Sequence, residues 1–193
     1  MTDYFALFGE PRHPWLDEEE LKSKFFALSS SVHPDRAHTL PEKEKQAAHA
    51  RYTELNAAYN CLREPKERLR HLIELQTSRK PVQVQEVPGE MVEIFFQIGQ
   101  ACREADEFLK RKAAVTSPIL LVEFFEQAQS LTEGLMKLSR DLAERQSELI
   151  AELKAVNAKW SEQIERLEQI QQTLSYLHRW SAQLQERIVQ LAS

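Results

Sequence analysis

The chain has 193 residues, a formal net charge of −5 and 4 glycines. The scarcity of glycine is typical of a mainly helical protein, and the length is sufficient for one large domain or two small ones. The negative charge argues against a general nucleic-acid binder, which needs a basic face. No apolar run approaches the roughly 18 residues that a membrane span requires. The acidic start Met1-Thr2-Asp3 predicts neither a signal nor a transit peptide. Cys61 and Cys102 lie alone on predicted apolar helix faces, so we expect core thiols and a cytoplasmic protein.

The N-terminal region begins with a short helix and a longer one. Residues Asp3 to Gly9 form an aromatic-rich helix that a glycine ends. Asp17 followed by Glu20 resembles a capping box, which starts a second helix running to about Val32. Apolar residues recur there at helical spacing. They are Leu21, Phe25, Leu28 and Val32.

An exposed turn, His33-Pro34-Asp35, follows the second helix. The proline disfavours helix at the residue before it, so the tripeptide must separate two helices. Pro41 fits the first position of a third helix ending near Arg63, and Pro65 opens a shorter fourth helix. The third helix has its own apolar stripe, Tyr52, Leu55, Tyr59 and Leu62.

Residues 77–89 contain prolines and a glycine without helical period and are predicted to be a linker. Three long amphipathic helices follow, and their short connections predict an antiparallel three-helix bundle over residues 90–193. The alternative is an extended coiled-coil stalk that dimerises, although Arg145 and Glu152 interrupt its seam. The three stripes are Met91, Phe95, Ile98, Cys102, Ala105 and Leu109; Leu121, Ala128, Leu135, Leu142, Leu149 and Val156, with Phe124, Leu131 and Leu138 as partner positions; and Leu167, Ile170, Leu174, Leu177, Leu184, Ile188 and Leu191.

In this order the N-terminal motifs resemble the J-domain of the HscB-type co-chaperones, the branch of the DnaJ family that serves iron–sulfur cluster assembly. The resemblance implies an all-α fold. A J-domain, built as an antiparallel helical hairpin with short flanking helices, would occupy residues 1–76, and a C-terminal antiparallel three-helix bundle at residues 90–193 would bind the client. The motifs are Asp3-Tyr4-Phe5, Leu7-Phe8-Gly9, Leu16-Asp17, Phe25, Leu28, His33-Pro34-Asp35-Arg36, Asn56-Ala57-Ala58-Tyr59, Leu62 and Pro65.

The resemblance also implies that the turn binds and activates a DnaK/HscA-type ATPase chaperone. Pro34 would fix the turn, and His33 would orient it. Asp35 would pair with an arginine of the chaperone through a charge-assisted hydrogen bond.

Basic residues on the second helix would steer the J-domain toward an acidic groove of the chaperone. J-domains usually have a Lys/Arg cluster just before the turn, but this chain has Ser29-Ser30-Ser31 there. The candidates are therefore Lys22, Lys24 and Arg36.

In the family, the helix after the linker holds the IscU-type scaffold protein on which the iron–sulfur cluster is built, through apolar residues flanked by acids. Met91, Val92 and Phe95 match the apolar part. Phe96 falls off the core stripe, and an extra apolar surface of this kind often marks an interface.

Two alternatives remain open. Gly99 and Arg103 stand where acidic contacts are expected, so the client could be a different, lineage-specific protein. The chain could instead be a structural coiled-coil protein with an inactive J-like head. The sequence has no metal-ligand spacing, phosphate loop or nucleophile motif, so we expect no metal, no cofactor and no enzymatic activity. We expect a monomer or a weak dimer, with no nucleic-acid or membrane partner.

Overall fold

The structure, a computed structural model, describes residues 2–33, 41–79, 87–114 and 118–192, without the side chains of 118–121 and 123. These ranges contain helices and no strand, which confirms the all-α fold class. None of the described helices is both long enough and apolar enough to cross a membrane. The helices are α1 (Tyr4–Phe8), α2 (Glu18–Ser31), α3 (Glu42–Arg63), α4 (Pro65–Thr77), α5 (Val92–Ala113), α6 (Pro118–Val156) and α7 (Ile164–Ala192), with 3-10 turns at Gly89–Met91 and Asn157–Glu162.

The chain forms two compact units. The first comprises Met1–Val82 and Ile150–Gln171, and the second comprises Gln83–Leu149 and Gln172–Ser193. The end of the α6–α7 hairpin, Ile150–Gln171, thus belongs to the first unit, although it is remote in sequence from Met1–Val82. The functional division at residues 77–89 stays a prediction.

The helix ends of the first unit follow their local sequence signals. Gly9, with φ of 63°, closes α1, and this left-handed conformation favours glycine. Asp17 caps α2, its Oδ1 accepting from the Glu20 N–H at 3.0 Å. Pro65 is the first residue of α4, as predicted. Pro41, in contrast, is the N-cap of α3, one position before the predicted one, and its carbonyl accepts from the Lys45 N–H at 3.0 Å.

Helices α2 and α3 form an antiparallel pair. Phe25 of α2 stacks on Tyr59 of α3, with 4.4 Å between ring centroids. His33, which follows α2, packs on Tyr52, which precedes Tyr59, so the two helices run in opposite directions. The aromatic residues of α1 fill one end of the core between these helices and α4. The buried apolar residues of this region are Phe5, Phe8, Leu16, Leu21, Leu55, Ala58, Leu62, Leu69, Leu72 and Ile73.

The second unit is an up-down-up bundle. Contacts between α5 and α6 run in opposite chain directions, whereas those between α5 and α7 run in the same direction, as an antiparallel three-helix bundle requires. The pairs are Glu90 with Arg145 at 3.3 Å, Phe108 with Phe124 at 5.3 Å between centroids, Phe95 with Trp180 at 6.0 Å between centroids, and Asp106 with Arg187 at 2.9 Å.

The heptad seam of α6 is buried by the chain itself. Leu135, Leu142 and Leu149 are 1%, 1% and 3% exposed, so the bundle is formed and not the extended stalk. The polar residues that interrupt the heptad make ion pairs to other elements: Arg145 with Glu90 of the 3-10 turn before α5, and Glu152 with Arg166 of α7 at 2.6 Å.

The predicted stripe of α5 differs from the observed core at two positions. Phe108 is 1% exposed and takes the core position expected for the neighbouring Leu109, while Phe95 is 42% exposed. Phe108 and Leu109 lie three and four residues after Ala105, and both spacings are compatible with the buried face of a helix. Phe108 occupies the core position because its larger ring buries more apolar surface.

The junction between α6 and α7 contacts the loop before α2, within the first unit. Asn157 Oδ1 accepts the backbone N–H of Trp15 at 3.0 Å, and Lys154 Nζ lies 4.6 Å from the centroid of the Trp15 ring. The 3-10 turn is broken at Lys159, whose φ and ψ are −127° and 24°. Asn157 therefore ends α6 and fixes the loop at the same time.

Candidate functional site

His33, the first residue of the predicted chaperone-binding turn, lies just past α2. Its half-buried ring meets Tyr52 edge-on, with centroids 5.4 Å apart and an interplanar angle of 80°. Edge-to-face packing of this kind is favourable and orients the ring. Pro34, Asp35 and Arg36 lie outside the described residues. The described part of the tripeptide is thus anchored at the open end of the α2–α3 pair.

The Asn56-Ala57-Ala58-Tyr59 motif supports this hairpin. Asn56 Nδ2 donates to the Tyr52 carbonyl at 2.8 Å, directly behind the residue that packs on His33. Ala58 is fully buried, where a larger residue would push the helices apart. Tyr59 stacks on Phe25. The motif sets the spacing of α2 and α3 and thereby the placement of His33.

The two candidate lysines of α2 differ in availability. Lys24 Nζ lies 2.6 Å from Glu10 Oε1 and 3.1 Å from Glu20 Oε1. Hydrogen bonds to Glu10 and then Glu20 raise the pKa of Lys24. Lys22 has only a 3.7 Å contact to Glu19 among the ion pairs described and its side chain is 50% exposed. Lys22 is the cation of α2 that is better placed to meet a partner.

The serine run Ser29-Ser30-Ser31 completes the end of α2. Its hydroxyl groups donate to the carbonyls three residues earlier, at 3.5, 2.9 and 2.9 Å. They satisfy acceptors near a helix end that has no basic residue in its last turn. The run has a structural role where a basic cluster was expected from the resemblance.

The Asp3-Tyr4-Phe5 motif at the start of the chain ties α1 to its surroundings. Asp3 Oδ1 accepts from the Phe5 and Ala6 N–H groups, and Oδ2 accepts from Arg12 Nε and Nη2 at 2.9 and 2.7 Å. Burial raises the pKa of Asp3, but the bonds from Arg12 and the backbone outweigh it and hold the pKa below its usual value. Asp3 is thus both a helix cap and half of a bidentate ion pair.

Two buried polar residues of α4, absent from the sequence predictions, hold the first unit together. His71, 5% exposed, accepts the Tyr4 N–H at Nε2 and stacks on the Tyr4 ring. Arg68, 2% exposed, donates to the Pro14 carbonyl at 2.8 Å and the Leu62 carbonyl at 2.6 Å. Burial lowers the pKa of His71 and lowers that of Arg68 to about 10. Both lie within four positions of Leu69 and Leu72, the apolar residues that mark the buried face of α4, and this spacing was the available signal.

An exposed apolar surface lies on α5, the helix on which the resemblance predicts client binding. Val92, Phe95 and Phe96 are 38%, 42% and 65% exposed, and we call these three residues the α5 patch. Met91, also predicted to bind the client, is 3% exposed and offers little surface to a partner. Phe95 joins the patch to the core, because its ring contacts that of the buried Trp180 of α7.

The polar surroundings of the α5 patch are not uniformly acidic. Glu90 pairs with Arg145, and Glu93 accepts from Gln97 Nε2 at 3.4 Å. A Cβ atom placed on Gly99 would lie 3.8 Å from Arg103 Nη1, so the guanidinium of Arg103 folds back beside Gly99. One turn beyond the patch, the helix therefore presents a cation where the resemblance led us to expect acidic contacts.

The described ranges contain no group of three or more His, Cys, Asp or Glu residues placed to hold a metal ion. Cys61 is half-buried and Cys102 is buried, in agreement with the core thiols expected from the sequence. Burial raises the pKa of Cys61 to about 11 and also raises that of Cys102, so both thiols are protonated and unreactive near neutral pH.

Comparison with known proteins agrees with this geometry. The DnaJ domain family matches residues 3–71. Co-chaperone protein HscB homologues from Azoarcus sp. and Aromatoleum aromaticum are 41% and 40% identical over 73 residues, which is 38% of this chain and 41% of each relative. The sequence match thus spans about two fifths of the length of these relatives.

Solved structures of HscB share the fold over the whole chain. Chaperone HscB from Vibrio cholerae superposes with a TM-score of 0.64 at 22% identity, covering 98% of this chain and 99% of that one. Human co-chaperone protein HscB gives 0.62 at 20% identity, covering 98% and 81%. The chain therefore carries a DnaJ domain at residues 3–71 and has the fold of the HscB co-chaperones, which confirms the resemblance drawn from its motifs.

Proposed function

We propose that this chain is a J-domain co-chaperone that stimulates ATP hydrolysis by a DnaK/HscA-type chaperone and delivers to it a client, the IscU-type iron–sulfur scaffold protein. The observation that carries the chaperone half is the DnaJ domain, with His33 held against Tyr52 at the end of the α2–α3 pair. In this proposal the chain acts by coupling to the ATPase of its partner. Its turn favours the hydrolysis-competent state of the partner.

In this mechanism Asp35 pairs with an arginine of the chaperone, and Pro34 limits the conformations of the turn that presents it. His33 contributes its orientation, which the Tyr52 ring fixes. Lys22 and Arg36 add positive charge, and Lys24 adds less because two carboxylates already compensate it.

The client half rests on the α5 patch. Three exposed apolar side chains on one turn and a half of helix form a surface of the kind that marks interfaces. A client bound there is tethered to the chaperone through the J-domain, which raises its effective concentration at the ATPase.

Single-turnover ATP hydrolysis tests both halves. HscA-type and DnaK chaperones are mixed with the wild type or with Asp35→Asn, in the presence and absence of scaffold. We expect stimulation by the wild type, loss of it in Asp35→Asn, and further stimulation by scaffold. If the wild type stimulates neither chaperone, the proposal is wrong, and a structural protein with an inactive J-like head becomes the better hypothesis.

A second candidate keeps the J-domain and changes the client. Arg103 folding beside Gly99 gives this end of α5 a positive charge, which favours a client with acidic residues near its apolar contact. Stimulation by the wild type that the scaffold does not enhance would favour this second candidate.

A further inference from the structure

We propose that α6 forms a weak dimer interface, in which an exposed stripe of its residues pairs antiparallel with the same stripe of a second copy of this chain. The stripe is distinct from the buried heptad seam of the bundle and from the α5 patch. Self-association of this kind goes beyond the proposed function and does not depend on it.

The stripe repeats with heptad spacing on the outside of α6. Each of its positions comes one residue after a position of the heptad that faces the bundle core, which is about 100° further around the helix. Three of its side chains are large, apolar and exposed: Val122 is 64% exposed, Phe125 70% and Met136 45%. The whole stripe, which we call the outer stripe, consists of Val122, Phe125, Gln129, Thr132, Met136 and Ser139.

Helix α7 adds apolar surface at one end of the outer stripe. Arg187 of α7 pairs with Asp106 of α5, and these two helices run in the same direction. Val189, two residues later, therefore lies level with Phe108 and with Phe124, which Phe108 contacts. Val189 is 59% exposed. With the three apolar residues of the outer stripe, it makes up half of the large apolar side chains that are exposed in the described part of the chain.

The outer stripe is complementary to itself in one antiparallel register. With a two-fold axis at the middle of the stripe, Phe125 faces Met136 of the other copy, and Gln129 faces Thr132. Apolar side chains then meet apolar ones, and polar side chains meet polar ones. Moving one copy by a heptad in either direction would instead place Phe125 opposite Gln129 or Ala143. A second copy in the first register therefore fits this surface, as an isologous pair of the commonest symmetry.

The composition and size of the surface suit a weak dimer. All six positions of the outer stripe are uncharged, as is usual at the centre of an interface. The four exposed apolar side chains offer on the order of 400 Å² per copy, about half of the 800 Å² that each partner buries in a standard-size interface. We therefore expect a dimer that dissociates at micromolar concentrations.

Two carboxylates flank the outer stripe and limit the strength of the pairing. Glu126 and Glu133 are exposed, and each follows a residue of the stripe by one position. In the antiparallel register, Glu126 of one copy lies near Glu133 of the other, and the symmetry repeats this contact. Like charges at flanking positions oppose association, so the dimer should strengthen as salt screens them.

Sedimentation equilibrium of the full chain, from about 5 to about 500 μM, tests the interface. Phe125→Arg places a charge at the centre of the apolar surface, and Phe96→Arg on α5 is the matched control because Phe96 is 65% exposed. Glu126→Lys tests the register, and Glu107→Lys, at an exposed position of α5, changes the net charge by the same amount. Circular dichroism verifies that each variant is folded.

We expect a wild-type dissociation constant of about 10 to 100 μM, which falls as salt is raised. Phe125→Arg should raise it at least about tenfold, as for loss of an aromatic anchor, and Phe96→Arg should leave it unchanged. Glu126→Lys should lower it about tenfold, because two repulsive contacts become ion pairs. Glu107→Lys should lower it by less than about twofold.

A chain that stays monomeric over the whole concentration range would overturn the inference. So would a Phe125→Arg variant that dimerises as well as the wild type, since the contact would then lie elsewhere. Equal effects of Glu126→Lys and Glu107→Lys would overturn the antiparallel register. The measurement contains neither chaperone nor scaffold, so its failure leaves the proposed function unaffected.

Discussion

The backbone N–H of Tyr4 donates to Nε2 of His71 at 3.1 Å, and the two rings stack with centroids 4.6 Å apart. Because Nε2 accepts, the neutral imidazole must carry its proton on Nδ1. The start of α1 is thereby joined to the middle of α4, 67 positions further along the chain. The Asp-Tyr-Phe motif positions a helix through this bond.

Protonation of His71 is expected to destabilise the first unit. Burial lowers the pKa of His71, and Arg12 and Arg70 lower it further against the opposing effect of Asp3 and Glu74. The unfolded chain, with a histidine pKa near 6.5, therefore takes up the proton first. The stabilising effect is complete above about pH 6.5 and is lost as pH falls, by at most about 1.4 kcal/mol per pH unit.

Urea denaturation between pH 5 and 8 would check this dependence. His71→Phe keeps a ring but removes the acceptor, so it should cost about 1 to 3 kcal/mol at pH 7.5 and flatten the profile below about pH 6.5. His49→Gln, at an exposed position of α3, is the matched control. If the free energy of unfolding of His71→Phe depends on pH as strongly as that of the wild type, another titratable group is responsible for the dependence.

Asp3 allows the cap and the ion pair to be measured separately. Asp3→Ala loses both and should cost about 1 to 2 kcal/mol, as for other N-caps. Asp3→Asn keeps a capping oxygen but loses the charge that Arg12 binds, so it should cost less. The lowered pKa of Asp3 makes its contribution present above pH 3.8 and lost as pH falls further. Denaturation of both variants at neutral pH, with the wild type titrated into acid, distinguishes the two roles.

The sequence predicts those parts of the fold that local chemistry determines. Gly9, Asp17 and Pro65 mark helix ends because each acts on its own neighbours, and the heptad of α6 is regular enough to identify its buried face. The polar contacts of Arg68 and Asn157 span 54 and 142 positions, and no local pattern indicates them. Candidate sites follow the same division: the helical spacing separates Met91 from Phe96, whereas only the structure shows that Phe95, on the predicted stripe, is 42% exposed.

Arg68 is expected to be one of the least replaceable residues of the first unit. It is 2% exposed and donates to two carbonyls, one in the loop before α2 and one near the end of α3. Arg68→Met should cost about 3 to 5 kcal/mol in urea denaturation, as for other broken buried polar contacts. Arg68→Lys should recover only part of this, because a lysine lacks the planar fork that reaches both carbonyls.

Arg70 provides the comparison, since it lies on the same helix but is exposed and pairs with Glu67 at 2.6 Å. Arg70→Met should change stability by less than about 1 kcal/mol. Equal effects of the two substitutions would mean that the Arg68 bonds contribute nothing specific.

Asn157 should protect the backbone amide of Trp15 from hydrogen exchange. Asn157→Ala removes the acceptor at 3.0 Å and is expected to cost about 1 kcal/mol and to speed hydrogen exchange of the Trp15 amide. Asn157→Asp retains an oxygen in that position and should keep most of the protection. Exchange of the Trp15 amide unchanged in Asn157→Ala would show that the loop is held by other contacts, such as that of Lys154 with the ring.

Met91 and Phe96 should separate folding from client binding on α5. Met91 is 3% exposed, so Met91→Ala is expected to cost about 2 to 5 kcal/mol in denaturation, as for other buried large-to-small changes. Phe96 is 65% exposed, so Phe96→Ala should change stability by no more than about 0.5 kcal/mol.

If the α5 patch binds the scaffold, Phe96→Ala should nevertheless weaken scaffold binding about tenfold in titration calorimetry. Phe125→Ala, at another exposed phenylalanine, should leave that affinity unchanged. A Phe96→Ala variant with full scaffold affinity would mean that the client binds elsewhere. Stimulation of the chaperone by the full chain in the absence of scaffold should be unaffected in either case.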